Sequence, residues 1–182
     1  TTLTKRVTEE GKKWLTDAKR HYPVVIDAAV TVATSTSGSA IGNSFQSKVI
    51  FNPATSNYWS FYYDGSAIAY SSSTDGVTWT ARGTLAYNTF HFSLIQRDSS
   101  STVFLATQCG SDLDVCVRKG TIAGTTITWT GEVVALDGTD ATTDAYTRPN
   151  IVLDRMGNIW VAARKQTAAS TFISTVRRST AV

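Results

Sequence analysis

The stretch that decides the fold is Ser73-Thr74-Asp75-Gly76-Val77-Thr78-Trp79, a polar turn followed by an aromatic residue. The Asp75 carboxylate can accept N–H bonds from the backbone of its own turn. Gly76 adopts a positive φ without steric cost, and Trp79 offers a large apolar surface for burial between layers of sheet. The stretch therefore predicts a closed turn that joins two β-strands.

Short β runs separated by turn residues lie on both sides of this turn, and they repeat. Four runs fall in residues 48–85, four in residues 92–133 and three in residues 147–182. The last run of each of the first two units carries Thr-Trp-Thr, at residues 78–80 and 128–130. Units of about 45 residues with four antiparallel strands are typical of the blades of a β-propeller. The sequence thus predicts an all-β fold of about three four-stranded antiparallel units.

The number of units leaves the assembly open. A propeller closes its ring with about 4 to 8 blades, so three explanations compete. The chain is a segment of a larger ring, it closes with a second copy, or its strands form an open or different β assembly. The β segment Val24–Val32 is a candidate for the outer strand that the third unit lacks.

One convincing helical pattern precedes these units. Apolar residues fall on one stripe of residues 5–22 with charged residues opposite, which indicates an amphipathic helix that ends at Pro23. We assign residues 1–22 to this helix, residues 23–47 to a β segment and a Thr/Ser/Gly-rich connector, and residues 48–182 to the blades. The helix either packs on the β domain or binds a partner.

The turn described first resembles the Asp-box of the sialidase-like, or BNR-repeat, β-propellers, whose pattern is S-x-D-G-x-T-W. The residues that match it are Ser73, Asp75, Gly76 and Trp79. Residues 124–129 look like a degenerate copy that keeps the terminal Thr and Trp and has lost the Asp. Residues 146–154 resemble the innermost strand of such a propeller, with Arg148 and Pro149 adjacent where sialidases have R-I-P. In this family Asp-boxes are structural and lie on the face away from the ligand.

The resemblance also implies a ligand-binding face. Successive turns of a four-stranded antiparallel blade alternate between two faces. The turns and connectors opposite the Asp-box therefore form the face that binds the ligand in this family. The acidic residues expected on that face are Asp64, Asp112, Asp114 and Asp140.

A sialidase-like mechanism needs arginines that clamp a carboxylate, a Tyr nucleophile activated by a Glu, and an Asp acid/base. The side chains that supply these types are Tyr146, Arg148, Asp144, Glu132 and Arg164. Because such a clamp normally draws its arginines from separate blades, part of a ring presents only part of it. The resemblance therefore favours a module that recognises glycans or another surface partner without catalysis.

Two cysteines flank a short polar turn. Cys109 and Cys116 either form a disulfide across a hairpin or remain free thiols, and an oxidising compartment would favour the disulfide. The chain has no further Cys, and its two His residues, His21 and His91, are isolated in the sequence, which disfavours a zinc site. Four acidic residues either supply oxygen ligands to Ca²⁺ or are solvated residues of turns. They are Asp112, Asp114, Asp137 and Asp140. We therefore predict no metal or cofactor, with Ca²⁺ as the candidate if one is bound.

Composition narrows the class of protein. The 182 residues are 42% hydrophobic and 17% charged, with a net charge of +3. Basic residues collect at the two ends rather than in a stripe, which disfavours nucleic-acid binding, and no apolar run reaches the ~20 residues of a membrane span. We predict an extracellular or surface-associated recognition module whose partners are a glycan or surface ligand and further copies or blades. The alternatives are a fragment of a sialidase-type glycoside hydrolase (an exo-α-sialidase) and a structural subunit of a fibre or viral shell.

Overall fold

The structure is a computed structural model that describes residues 29–43, 45–97 and 100–179. The chain divides into two units, Thr1–Val30 and Thr31–Val182. The fold described below belongs to the second unit.

Two N-terminal predictions concern residues that the structure covers only in part. The helix predicted over residues 5–22 lies outside the described residues. Of the β segment predicted over Val24–Val32, residues 29–32 are described, and they form no strand. The described residues contain no helix, and thus none long and apolar enough to cross a membrane.

Eleven strands in the described residues form three antiparallel sheets. Sheet I consists of β1 (Val49–Asn52), β2 (Asn57–Tyr63), β3 (Ile68–Ser73) and β4 (Thr80–Leu85). Sheet II consists of β5 (Phe92–Gln96), β6 (Thr102–Cys109), β7 (Asp114–Ala123) and β8 (Thr126–Leu136). Sheet III consists of β9 (Ala145–Leu153), β10 (Ile159–Ala168) and β11 (Thr171–Arg178). Strands follow chain order within each sheet, so the prediction of an all-β fold with antiparallel units is confirmed.

Sheet II lies between the other two sheets and buries both of its faces. On one face Leu94 and Leu105 pack with Trp59 and Phe61 of sheet I, and all four side chains are at most 1% exposed. Aromatic side chains of this size each remove a large apolar area from water. This core therefore supplies much of the stability that holds sheets I and II together.

The second core lies on the other face of sheet II. Phe104 and Ala106 of β6 pack there with Ile151 and Val161 of sheet III. Successive side chains of a strand point to opposite faces of its sheet. The residues Val103–Ala106 consequently contribute to the two cores in alternation, which explains why this part of β6 is a continuous apolar run.

The first strands of the three sheets, β1, β5 and β9, lie side by side. The Leu94 N–H donates to the Ser47 carbonyl at 3.1 Å, and Ser93 Oγ donates to Asn150 Oδ1 at 3.1 Å. Gln46 Nε2 also donates to a backbone carbonyl just ahead of Asn150, that of Pro149, at 2.6 Å. The residues at which these three strands begin therefore share one end of the stack, which we call the entry end.

The turn Ser73–Trp79 joins β3 to β4 at the opposite end. Asp75 Oδ1 accepts the N–H groups of Thr78 at 2.7 Å and Val77 at 2.8 Å, and the Ser73 hydroxyl at 2.8 Å. These three hydrogen bonds hold the pKa of the Asp75 carboxyl well below its usual range. The carboxylate thus stabilises its own turn.

Trp79 does not pack between the sheets. Its indole Nε1 donates to the Gly76 carbonyl at 3.2 Å, and Gly76 has the expected positive φ of 74°. The Trp79 ring is half-buried over its own turn, whereas the core between sheets I and II contains Trp59 and borders on Trp129. The predicted intersheet role of Trp79 is therefore filled by Trp59, whose position in β2 points directly at sheet II.

Candidate functional site

A basic cleft opens at the entry end, beside sheet III, with a volume of about 460 Å³. Its charged lining residues are Arg148 and Arg164, and no Asp or Glu is among the described residues that line it. Phe45 and Phe172 also line it, exposed by 57% and 45%. The cleft thus presents two cations and two aromatic faces to solvent.

A β-bulge positions Arg148. Residues 162–164 of β10 pair with residues 147–150 of β9 with a one-residue shift, so that Arg148 and Pro149 together oppose Ala163. Arg148 has a φ of 56°, in the left-handed region, and Pro149 has no N–H to contribute to the ladder. A bulge bends its strand and redirects a side chain. The bulge at Arg148 and Pro149 therefore projects an exposed guanidinium from the first half of β9.

Arg164 reaches the same cleft from β10. Its Nε donates to Thr147 Oγ1 at 2.9 Å, and its guanidinium carbon lies 4.4 Å from the centroid of the Phe172 ring. Burial and the charge of Arg148 lower the pKa of Arg164. The guanidinium groups of Arg148 and Arg164 repel each other, and no acid among the described lining residues offsets their charge. The binding of an anion between them is therefore favoured.

Lys48 adds a buried cationic group just ahead of β1. Its Nζ donates to Gln46 Oε1 at 3.2 Å, to the Phe90 carbonyl at 3.4 Å and to the Phe92 carbonyl. The same Nζ lies 3.2 Å from the centroid of the Phe92 ring. Burial lowers the pKa of Lys48 to about 7, while the carbonyl and ring contacts favour its charged form.

His91 lies just ahead of β5 and is held as a neutral ring. Its Nδ1 is 3.1 Å from Asn43 Nδ2, and because an amide nitrogen only donates, Nδ1 accepts and the proton resides on Nε2. Burial and the charges of Arg148, Lys48 and Arg164 lower the pKa of His91 to about 4. At neutral pH His91 therefore offers one N–H donor and no charge.

Sequence reasoning identified the two arginines of this cluster and missed Lys48 and His91. One signal was present in the sequence, since both residues stand immediately before the first strand of their unit, as Arg148 stands near the beginning of the third. The contact of His91 with Asn43 joins residues 48 positions apart. Only the tertiary fold brings these residues together.

The residues expected to act with the arginines in catalysis each make contacts of another kind. Tyr146 is buried, its N–H donates to the Leu113 carbonyl at 2.8 Å, and its own carbonyl accepts from Gln108 Nε2 at 2.8 Å. Lys165 Nζ lies 5.2 Å from the centroid of the Tyr146 ring. Tyr146 therefore occupies the core between sheets II and III.

Asp144 is occupied by an ion pair. Its Oδ1 lies 2.5 Å from Lys165 Nζ, and its Oδ2 accepts from Thr139 Oγ1 at 2.9 Å. The bonds to Lys165 and then Thr139 lower the pKa of the Asp144 carboxyl. A carboxyl that stays ionised in this way is poorly suited to donate a proton as a general acid.

Glu132 pairs with a tyrosine other than the one expected. Tyr87 Oη donates to Glu132 Oε2 at 2.5 Å, and among the described residues no hydrogen bond joins Glu132 to Tyr146. Burial, followed by the Glu132 carboxylate, raises the pKa of Tyr87 to about 12. The phenolate of Tyr87 is thus disfavoured, and the pair supports the contact between the β4–β5 connector and β8.

The four acidic residues expected on the ligand face lie in entry-end turns and connectors, and two of them bond the backbone of their own turn. Asp64 Oδ1 and Asp140 Oδ1 each accept N–H groups from residues two and three positions further along the chain. Asp114 Oδ1 accepts the Gly138 N–H at 2.7 Å, which ties the β6–β7 turn to the β8–β9 connector. Asp112 is exposed in the same turn. Asp64, Asp140 and Asp114 thus stabilise turns and connectors of the entry end.

A disulfide closes the β6–β7 hairpin. Cys109 and Cys116 are bonded, with their Cα atoms 5.9 Å apart, and both are buried. Among the residues that the structure describes, no group of three or more His, Cys, Asp or Glu side chains is arranged to hold a metal ion.

No protein-family model matches the sequence, and no curated protein matches it.

Proposed function

We propose that this chain is a non-catalytic module of the sialidase-like, Asp-box β-propeller type that recognises an anionic glycan outside the cell. The observation that carries the proposal is the basic cleft. Arg148 and Arg164 line it with no Asp or Glu among the described lining residues, and the neutral ring of His91 places a further N–H donor at the same end.

The chemistry of the cleft favours a carboxylate or another flat anion carried on a sugar. A guanidinium can donate two parallel N–H bonds to a carboxylate, and aromatic faces such as Phe45 and Phe172 suit the apolar faces of sugar rings. Exposed aromatic side chains beside charged groups also characterise recognition surfaces. A ligand that combines an anionic group with a ring therefore fits the lining of this cleft.

Two features support the propeller assignment within this proposal. Sheets I, II and III pack face to face in chain order with their first strands side by side, as blades do around a ring. The turn Ser73–Trp79 joins the third and fourth strands of sheet I at the end away from the cleft, where the Asp-box of this family is expected.

The arrangement of the other polar residues favours binding over hydrolysis. Glu132 is bonded to Tyr87, whose pKa is raised, and Asp144 is paired with Lys165. A glycosidase needs a nucleophile and an acid/base directed at one bond. The disulfide between Cys109 and Cys116 supports the extracellular location, because such bonds persist in oxidising compartments.

The test is a binding measurement on glycans with and without an acidic sugar. We expect binding only to the acidic glycans, with at least tenfold weaker affinity in Arg148→Ala and in Arg164→Ala. Arg155→Ala is the matched control, since Arg155 is exposed in the β9–β10 turn at the opposite end. Equal binding by the Arg164 variant and the control would overturn the role of the cleft.

A fluorogenic sialoside distinguishes the module from an enzyme. We expect no turnover above the uncatalysed rate. Turnover that is lost in Tyr87→Phe and in Arg148→Ala would assign the chain to the sialidase-type hydrolases instead.

A further inference from the structure

Sheet III exposes apolar side chains on the face turned away from sheet II. Val152 is 53% exposed and Val176 is 57% exposed, and Trp160 beside them is only half-buried. The strand register places Val152 opposite Trp160 on neighbouring strands. Contiguous exposed apolar side chains of this kind mark surfaces that bind a partner. We call these three residues the trailing face.

The register of the other sheets shows what normally covers such a face. The pair that corresponds to Val152 and Trp160 is Ile50 and Trp59 in sheet I. Ile50 is 8% exposed and Trp59 is 0% exposed, because sheet II packs on them.

Sheet II repeats the arrangement. Its corresponding pair is Ile95 and Phe104, and sheet III packs on both. Phe104 is 3% exposed. The trailing face of sheet III thus has the composition and register of two faces that each pack on the next sheet of the chain.

The chain also carries the complementary surface. On the face of sheet I turned away from sheet II, Val49 is 57% exposed, Phe51 is 47% exposed and Tyr58 is 39% exposed. The rings of Phe51 and Tyr58 lie 4.8 Å apart. We call these three residues the leading face.

The leading face corresponds to the faces of sheets II and III that pack on the preceding sheet of the chain. Val49, Leu94 and Ile151 occupy equivalent positions in the first strands of the three sheets. Each stands one residue before the residue that faces the next sheet or lies on the trailing face. Leu94 is buried against sheet I and Ile151 against sheet II.

We propose that the trailing face of one copy packs on the leading face of a second copy, so that the stack of sheets continues from chain to chain. A second copy is the occupant because each chain presents both halves of an interface that it already forms twice internally. The charges agree, since Arg178 pairs with Trp160 in sheet III. In sheet I Tyr58 pairs with Ser73, and Asp75 lies two residues beyond Ser73 at the same end of its sheet. Contacts of this head-to-tail kind close a ring when the rotation permits it.

The test is the mass of the full chain in solution, measured by sedimentation velocity across a range of concentrations. We expect a species of at least twice 19.6 kDa. Val176→Arg on the trailing face and Phe51→Arg on the leading face should each weaken association at least tenfold. Val133→Arg is the control, because Val133 is 68% exposed on β8 and belongs to neither face.

Mixing the two face variants identifies the contact. The intact leading face of Val176→Arg and the intact trailing face of Phe51→Arg should together form one junction, so a mixed dimer appears where neither variant associates alone. Circular dichroism verifies that each variant is folded. A wild-type chain that stays monomeric at every concentration, or face variants that associate as well as the control, would overturn the proposal. Val176 does not itself line the cleft, but its register partner Ala162 does. Association is therefore measured without ligand, so that its failure is distinguished from a failure of the proposed function.

Discussion

Arg148 combines an unfavourable backbone conformation with an exposed charge. A non-glycine residue in the left-handed region costs about 1–2 kcal/mol, and its φ of 56° lies in that region. The bulge opposite Ala163 maintains this conformation. Such local strain is characteristic of functional sites, where a side chain must be directed at a ligand.

Replacing Arg148 by glycine separates the two properties. Glycine tolerates the left-handed region. It also destabilises the folded state by about 0.5–1 kcal/mol, because it increases the conformational entropy of the unfolded chain. We therefore expect Arg148→Gly to unfold in denaturant at the wild-type midpoint or slightly above it, while losing affinity for acidic glycans at least tenfold. A variant destabilised by more than about 1 kcal/mol would show that Arg148 is structural.

Asp154 makes the β9–β10 turn sensitive to acid. Its carboxylate accepts from the Asn158 side chain at 2.8 Å and from Trp160 Nε1 at 3.1 Å, and it also accepts the N–H groups of Met156 and Asn158. These bonds lower the pKa of Asp154 to about 2. The stabilisation is present above the unfolded-state pKa of about 4 and is lost as the pH falls through about 2.

The corresponding variant is Asp154→Asn. Its free energy of unfolding should change less than that of the wild type between pH 5 and pH 2, because the charge that is lost on acidification is already absent. Met156→Ala, in the same turn and 85% exposed, should follow the wild-type profile. Parallel profiles for all three proteins would contradict the prediction.

Among the elements, the β6–β7 hairpin connects the central sheet to the loops of the entry end. Cys109 and Cys116 close it covalently, and Asp114 binds the connector that leads to β9. Tyr146 at the beginning of β9 donates its N–H to Leu113 in the same turn. The hairpin therefore helps to position the part of β9 that carries Arg148.

Removing the disulfide should lower stability more than it alters binding. A loop of this length contributes about 2–3 kcal/mol when closed covalently. We expect the double variant Cys109→Ser and Cys116→Ser to melt at a lower temperature, and reductant to shift the wild type but not the variant. Equal melting temperatures with and without reductant in the wild type would contradict this.

At the scale of the whole molecule, the packing of the three sheets depends on sheet II, which contributes residues to both cores. Phe104 and Leu105 are adjacent in β6 and belong to the two different cores. Because both faces of one sheet are used, loss of packing on either side removes support from the other. We therefore expect sheets I, II and III to unfold together.

Phe104→Ala tests this coupling. The side chain is 3% exposed, and truncation of a buried Phe typically costs about 3–5 kcal/mol. Denaturation followed by tryptophan fluorescence, which reports on Trp59, Trp129 and Trp160 in sheets I, II and III, and by far-ultraviolet circular dichroism should shift by the same amount. A shift in one signal alone would show that the sheets unfold separately.

Local sequence determined the strands, their antiparallel order and the closed turn at Asp75, because alternating apolar residues and Asp/Gly turns act over a few positions. It also pointed to Arg148 and Arg164. The structure alone decided that Trp59 rather than Trp79 enters the core, that Glu132 binds Tyr87 rather than Tyr146, and that Lys48 and His91 join the arginines. Those outcomes depend on how sheets pack across 40 to 100 residues of chain, and the periodicity of a strand carries no information about which sheet covers its face.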